Sequence, residues 1–346
     1  AYEIPKRDWS SDVCSSDLMN KITKEPILIT GVPRSGTTWV ANILGQSSKT
    51  NLILEPDNEK YSFLARKWKK ALYRFPFADG TTDSNLLYLF YKQIIRDSYP
   101  KNKTLINHSL NFIFGHDKAN NEHSIQLKES QLAKSFPNIT PPIFLSSILK
   151  NLTSDFYSVS DIKIIKTVHA GLCLPFLYQH FRPKMLILFR HPANVISSCL
   201  ELKIEDGNRD IYCRPEIEPF LTEYKDDIMK LNDPLSFMGL QIGIFYYLWE
   251  MELKKQKEWI SVTHENLCEN SVEKFKNLFQ KIGLEWSRNT ENLILDLNKP
   301  GVGFKPNRVV ENLVDKWKRK LSLDQIIKIQ KGYSILPIKH YEEFRL

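Results

Sequence analysis

The chain repeats one pattern along most of its length: a short apolar run, a break, then a longer stretch of helical period. Apolar runs at residues 27–30, 51–54, 162–166, 185–189 and 259–263 are rich in Ile, Leu and Val and end at Gly, Pro or charged residues. They predict strands buried on both faces. Helical periodicity predicts helices over 37–46, 60–73, 85–96, 143–150, 171–180, 192–200, 237–256, 272–281 and 324–332. Strands that alternate with helices imply an α/β fold, a mostly parallel central sheet flanked by helices. Residues 79–160 follow neither period well and predict a variable insertion that shapes a substrate pocket. There is no internal repeat and no low-complexity tract. In such a fold ligands sit at the carboxyl ends of the strands. The loop after the first strand, Glu55 and Arg190 all fall there.

The loop after the first strand holds Gly31, Pro33 and Gly36, and helical period begins at Thr37. A strand that passes through a glycine turn into a helix start aims several backbone N–H groups at one point, which suits phosphate. Gly31-x-x-x-x-Gly36 has the spacing of a P-loop, but Thr37 stands where a triphosphate-binding loop has Lys. That substitution points to a ligand with a terminal phosphate rather than a triphosphate.

Pro33-Arg34-Ser35-Gly36-Thr37-Thr38 resembles the 5′-phosphosulfate loop of sulfotransferases that use PAPS, 3′-phosphoadenosine 5′-phosphosulfate. The Arg variant is more similar to the carbohydrate and tyrosylprotein branches than to the cytosolic phenol and steroid branch. The resemblance implies a P-loop-like sulfotransferase fold and assigns Arg34, Ser35, Gly36, Thr37 and Thr38 to the donor. It extends to Arg190 at a strand end and Ser198 eight residues on, a pair that holds the 3′-phosphate in relatives. A planar guanidinium fork beside a neutral hydroxyl suits that task; the alternative is an Arg that caps a strand and a Ser buried in a helix. Glu55, 21 residues after Arg34, resembles the catalytic base of the tyrosylprotein branch, and Glu55-Pro56 resembles members acting on N-acetylglucosamine. A hydroxyl acceptor needs such a base. The alternative is a solvated Glu in a turn. Lys166 matches a family Lys at the end of its strand and would stabilise charge on the transferred group, together with Arg34. Lys163 reads as an edge or surface residue. His169 and His191 are rival bases. Lys316-Trp317-Lys318-Arg319 resembles the late element that closes over the nucleotide, with Trp317 stacking or packing and Lys318 reaching the 3′-phosphate; Gly301, Gly303 and Pro306 before it suggest a mobile loop. His264-Glu265-Asn266-Leu267 matches a structural element of the family.

The implied activity is transfer of a sulfuryl group from PAPS to an acceptor hydroxyl, a saccharide before a lipid or small metabolite, with PAP as product and no metal. A P-loop kinase-like phosphotransferase and a non-catalytic nucleotide-binding module are the alternatives.

Composition narrows this little. The chain has 346 residues, 42% of them hydrophobic, and a formal charge of +8 with one dense basic run, Lys316, Lys318, Arg319 and Lys320. Solubility or attraction for an anionic cofactor or polymer explains that excess; no nucleic-acid-binding module is recognisable. Five widely spaced cysteines, Cys14, Cys173, Cys199, Cys213 and Cys268, form no metal or disulfide framework and predict reduced thiols in a cytoplasmic protein. Four glycosylation sequons begin at Asn102, Asn107, Asn138 and Asn151 and read as chance. No apolar run reaches the ~18 residues of a membrane span. Residues 1–18 include a stretch that resembles a translated sequencing adapter, so they are expected to be a non-native extension before Met19. Residues 19–346 are then one domain with its insertion at about 79–160.

Overall fold

A computed structural model describes residues 25–59, 65–66, 69, 73–96, 162–204, 211–298 and 314–344. The N-terminal extension, the sequons, most of helix 60–73, helix 143–150, most of the insertion and the Gly301–Gly303–Pro306 loop lie outside the described residues.

The elements that position the site run in order as β1 (Ile27–Gly31), α1 (Thr37–Leu44), β2 (Thr50–Leu54), α2 (Asn85–Ile95) and β3 (Ile162–Lys166). They continue as α3 (Leu174–Phe181), β4 (Lys184–Phe189), α4 (Pro192–Glu201), α5 (Pro234–Lys255), β5 (Ile260–Thr263) and α6 (His264–Cys268). The chain then forms α7 (Ser271–Ile282), α8 (Arg288–Leu297), α9 (Lys316–Lys320) and α10 (Leu323–Tyr333). The five strands lie in the order β2-β3-β1-β4-β5 and every pairing is parallel. All five therefore end on the same edge of the sheet.

Helices cover both faces, which explains why the strands are apolar without alternation. In β1, Leu28 faces the core built with α2, α3, α4, α5 and α10, whereas Ile27 and Ile29 face the core built with α1, α7 and α8. In β4, Met185, Ile187 and Phe189 take the first side and Leu186 and Leu188 the second. Each such side chain contributes roughly 1.5–3 kcal/mol through burial. The 22-residue helix α5 is the spine of the first core. It crosses α10 so closely that a Cβ on Gly332 would lie 1.8 Å from the Ser236 carbonyl oxygen. No described helix is long and apolar enough to cross a membrane.

Two expectations need correction. Residues 171–180 are not one helix: a 3-10 turn covers His169–Leu172 and α3 starts at Leu174. Pro175 has no N–H to bond the Gly171 carbonyl, and that carbonyl accepts the Trp249 indole N–H instead, at 2.7 Å. Lys163 is not at an edge, because β3 lies between β2 and β1. Its ammonium donates to the Ile95 carbonyl at 3.1 Å, which ties α2 to the sheet. The remaining strands and helices predicted within the described residues recur with ends shifted by up to three residues, while α8 had no sequence expectation at all.

Candidate active site

The β1–α1 loop is held open by two unusual backbone positions. Arg34 has φ 71° and Gly36 has φ 100°, both in the left-handed region. Gly36 is required twice over: its φ favours glycine, and a Cβ there would sit 2.5 Å from the His264 ring. The Ser35 N–H donates to the Val32 carbonyl at 3.0 Å and closes the turn. Gly36 caps α1 without a side-chain acceptor, which leaves the first helical N–H groups, those of Thr37 and Thr38, without intrahelical partners. Thr37 is buried and Thr38 exposed. The Ser35 hydroxyl is buried with no hydrogen-bond partner.

Arg190 and Ser198 converge on this loop from the neighbouring strand. The Arg34 Nε–H donates to Ser198 Oγ at 3.1 Å, across 164 residues of sequence. Arg190 Nη1–H donates to the Arg34 carbonyl at 2.8 Å. Arg190 is buried, and its Nε has no partner. Burial lowers the Arg190 pKa, and the charge of Glu265 works against that shift; an arginine stays charged even so. Tyr246 on α5 clamps the residue in place: its hydroxyl accepts from the Arg190 N–H at 2.9 Å and donates to the Arg190 carbonyl at 2.5 Å. Nothing in the local sequence marks Tyr246, which lies mid-helix among other aromatics.

On the other side of β1, Glu55 and Lys166 are ion-paired across the adjacent ends of β2 and β3. Glu55 takes the left-handed conformation, φ 47°, and its N–H extends the β2–β3 ladder by donating to the Lys166 carbonyl at 2.7 Å. The solvated-turn alternative for Glu55 does not match this geometry, because its Oε2 is buried and has no hydrogen-bond partner while Oε1 meets Lys166. Lys166 pairs in register with Ile29, two residues before the end of β1, so the ion pair lies beside the loop.

Behind the pair sits a buried polar cluster that includes Asp57, Lys69, Tyr91, Thr167 and His169, with Glu59 and Arg74 at its rim. Asp57 is 0% exposed. Burial would raise its carboxyl pKa, but the charge of Lys69 and hydrogen bonds from Thr167 and Tyr91 outweigh burial and hold it below the usual value. His169, the first rival base, is buried, and its Nδ1 lies 2.6 Å from the Lys69 ammonium. Lys69 has only protons to give, so Nδ1 accepts. Burial, then Lys69, lowers the pKa of His169.

The late basic run forms an outer wall. Trp317 stacks on His191, ring centroids 4.6 Å apart, and meets Phe344 edge-on. Its backbone N–H reaches Asn194 on α4 at 3.3 Å. Lys318 is exposed, 2.8 Å from Asp315, while Lys316 and Lys320 pair with Glu201 at the end of α4, the helix that carries Ser198. His191, the second rival base, is walled in by Trp317, Tyr341 and Phe344. Burial and then the Lys318 charge push its pKa down to about 3. Among the described residues no three His, Cys, Asp or Glu side chains are grouped to hold a metal, and Cys173, Cys199, Cys213 and Cys268 are not disulfide-bonded.

The site thus brings together Arg34, Ser35, Gly36, Thr37, Thr38, Arg190 and Ser198 on one side and Glu55 with Lys166 on the other, and it sets Trp317 and Lys318 behind α4. Among solved structures, the chain is similar to the sulfotransferase domain from the curacin biosynthetic pathway, at 14% identity over 91% of this chain and 99% of that one, TM-score 0.40. It is also similar to the sulfotransferase domain of the Synechococcus PCC 7002 olefin synthase, at 16% identity over 89% and 94%, TM-score 0.36. Sulfotransferase STF9 from Mycobacterium avium matches at 12% identity over 87% and 77%, TM-score 0.36. No curated protein matches the sequence. The sequence profile described as the sulfotransferase family matches residues 26–288, a span that includes both sides of the site, and the chain belongs to that family.

Proposed function

We propose that this sulfotransferase takes its sulfuryl group from PAPS and passes it in line to an acceptor hydroxyl, leaving PAP. The observation that carries the proposal is the hydrogen-bonded chain Arg190–Arg34–Ser198 at the ends of β1 and β4, set beside the Glu55–Lys166 pair at the ends of β2 and β3. The buried, unpartnered Ser35 hydroxyl and Arg190 Nε fit an anionic donor, because each is a donor group removed from water with nothing to bond. PAPS, when bound, supplies a sulfuryl group already activated on a phosphate leaving group. The loop N–H groups, Ser35 and Arg34 hold its 5′ end, and Arg190 with Ser198 holds the 3′-phosphate. Glu55 Oε2 faces no competing donor, so it can accept the proton of the acceptor hydroxyl. Lys166, ion-paired to Glu55, neutralises charge between acceptor and donor. Such proton transfer contributes typically 10²–10⁴-fold to rate.

The acceptor we propose is a saccharide. The charged rim of Glu59 and Arg74, 3.3 Å apart and partly exposed, suits a polyhydroxylated molecule better than an apolar one. Cysteines without disulfides among the described residues favour a reducing compartment, the cytoplasm. The test is thermal stabilisation by PAP, ATP–Mg²⁺ and 5′-AMP. Stabilisation by PAP alone is the expected result. Stabilisation by ATP–Mg²⁺ without PAP would sink the reading and favour a kinase.

A further inference from the structure

Asp57 is an expensive residue to keep where it is. A carboxylate removed from water costs several kcal/mol unless its partners compensate, and Asp57 is fully buried. Its partners are arranged around one contact. Both carboxylate oxygens accept from the Thr167 hydroxyl, at 2.7 and 2.6 Å. The Tyr91 hydroxyl donates to Oδ2 at 2.9 Å. The Thr167 oxygen in turn accepts from the N–H groups of His169 and Ala170, at 3.0 and 3.2 Å. The hydroxyl has one proton to give and two lone pairs to offer, and all are engaged.

The location gives this contact its meaning. Asp57 is two residues after Glu55, and Thr167 is the residue after Lys166. The bridge therefore ties together the two loops whose preceding residues form the Glu55–Lys166 ion pair. It does so where Glu55 holds a left-handed φ of 47° that a non-glycine residue does not keep unaided. The Asn58 N–H, donating to the Glu55 carbonyl at 3.2 Å, closes the same turn. On the sheet side the Thr167 N–H donates to the Ile29 carbonyl at 3.0 Å, so that loop is anchored to β1. Glu55 is thus fixed to β1 through Asp57 and Thr167.

We infer that Asp57 and Thr167 are positioning residues that hold Glu55 in its left-handed turn and so aim Oε2 at the acceptor. The inference rests on Glu55 being the base. The pair touches neither donor nor acceptor; it acts through Glu55. An apolar contact of the same volume would join the two loops at no electrostatic cost, but it would not fix the direction of the turn as a doubly accepting carboxylate does.

The test uses the full chain and follows PAP released from PAPS, with water and with N-acetylglucosamine as acceptors. Thr167→Val, nearly isosteric, should lower the rate at least tenfold while the KM for PAPS and the thermal shift with PAP stay unchanged. Thr167→Ser should restore the rate, and Asp57→Asn should fall with Thr167→Val if it folds. In the ligand-free protein, hydrogen exchange at the Glu55 and Asn58 amides should speed up in Thr167→Val, while the β1–α1 loop keeps its protection. The double variant Thr167→Val with Glu55→Gln should be no slower than Glu55→Gln alone. Additive losses, a raised KM for PAPS, or a Thr167→Val rate within twofold of the parent would overturn the positioning role. If Glu55→Gln itself leaves PAP release unchanged, the base assignment fails first and takes this inference with it.

Discussion

The ends of β1 and β4 and the ends of β2 and β3 lie side by side in one sheet, yet they handle charge in opposite ways. On the side proposed for the donor, Arg190 bonds a backbone carbonyl and leaves Nε unmet, and Arg34 reaches a serine hydroxyl. Glu265, the acid whose charge acts most on Arg190, commits its oxygens to the His191 N–H and the Tyr341 hydroxyl. On the side proposed for the acceptor, Glu55, Asp57 and Glu59 stand among Lys166, Lys69 and Arg74 and pair with them charge to charge. One half needs an anion to complete its hydrogen bonding. The other meets charge with charge, although Glu55 Oε2, Glu59 Oε2 and Arg74 Nε have no hydrogen-bond partner there. Binding and chemistry should therefore separate under mutation.

The sharpest separation comes from a crossed pair of variants. Glu55→Gln is expected to lower transfer by about 10²–10⁴-fold and leave the thermal shift with PAP intact. Arg190→Ala removes charge-assisted hydrogen bonds worth about 1.5–3 kcal/mol, so PAP affinity should fall by about 10–100-fold. Added salt should weaken PAP binding in the parent more than in Arg190→Ala. If Glu55→Gln loses PAP binding as severely as Arg190→Ala does, the two halves are one electrostatic unit and the comparison breaks.

A smaller effect is expected from Gly36→Ala. The new Cβ meets the His264 ring at 2.5 Å and must adopt φ 100°. His264 is buried and has Trp39 beside it, ring centroids 5.5 Å apart, so it has little room to yield. A cost of about 1–3 kcal/mol follows, read as a lower urea midpoint together with weaker PAP stabilisation. Glu55, equally left-handed at φ 47°, offers the control on the acceptor side: Glu55→Gly should relieve backbone strain even as it abolishes transfer.

The geometry of the half proposed for the donor was legible in the sequence because its parts are local. A strand, a glycine loop and a helix start adjoin one another at residues 27–44, and Arg190 and Ser198 lie eight residues apart on one strand–helix unit. Lys166 and Glu55 were legible as strand ends. The supporting residues were not. Asp57 reads as one more acid in a polar turn, and its burial depends on Tyr91 and Thr167, distant by 34 and 110 residues. Tyr246 clamps Arg190 across 56 residues, and no period of α5 distinguishes it from Tyr247. Helix α8 was hidden by its polar start. Its signal was the Ser287 cap, whose side chain accepts from the Thr290 N–H, followed by buried Ile294 and Leu297. Trp317 stood out in the sequence, but its partners His191 and Phe344 come from elements that converge only on folding.

The mildest test uses pH. Burial holds His191 neutral, with its pKa near 3, whereas the unfolded chain takes a proton there at about 6.5. Below pH 6.5 the unfolded state binds more protons, so stability falls with falling pH, by about 1.4 kcal/mol at pH 5.5 for this one group. His264 and, across the site, His169 are shifted in the same direction, chiefly by burial, and add to the loss. Asp57 acts elsewhere on the scale. Its carboxyl lies below its usual value, so its contribution is whole above pH ~4 and is lost only as pH falls through the lower folded value. His191→Phe keeps a ring against Trp317, Tyr341 and Phe344 and removes the titrating group. Urea unfolding at pH 7.0 and 5.5 should then show a difference smaller by about 1.3 kcal/mol than in the parent. An unchanged difference would mean that His191 charges inside the folded protein, and that the outer wall of the donor side opens to water where the acceptor cluster does not.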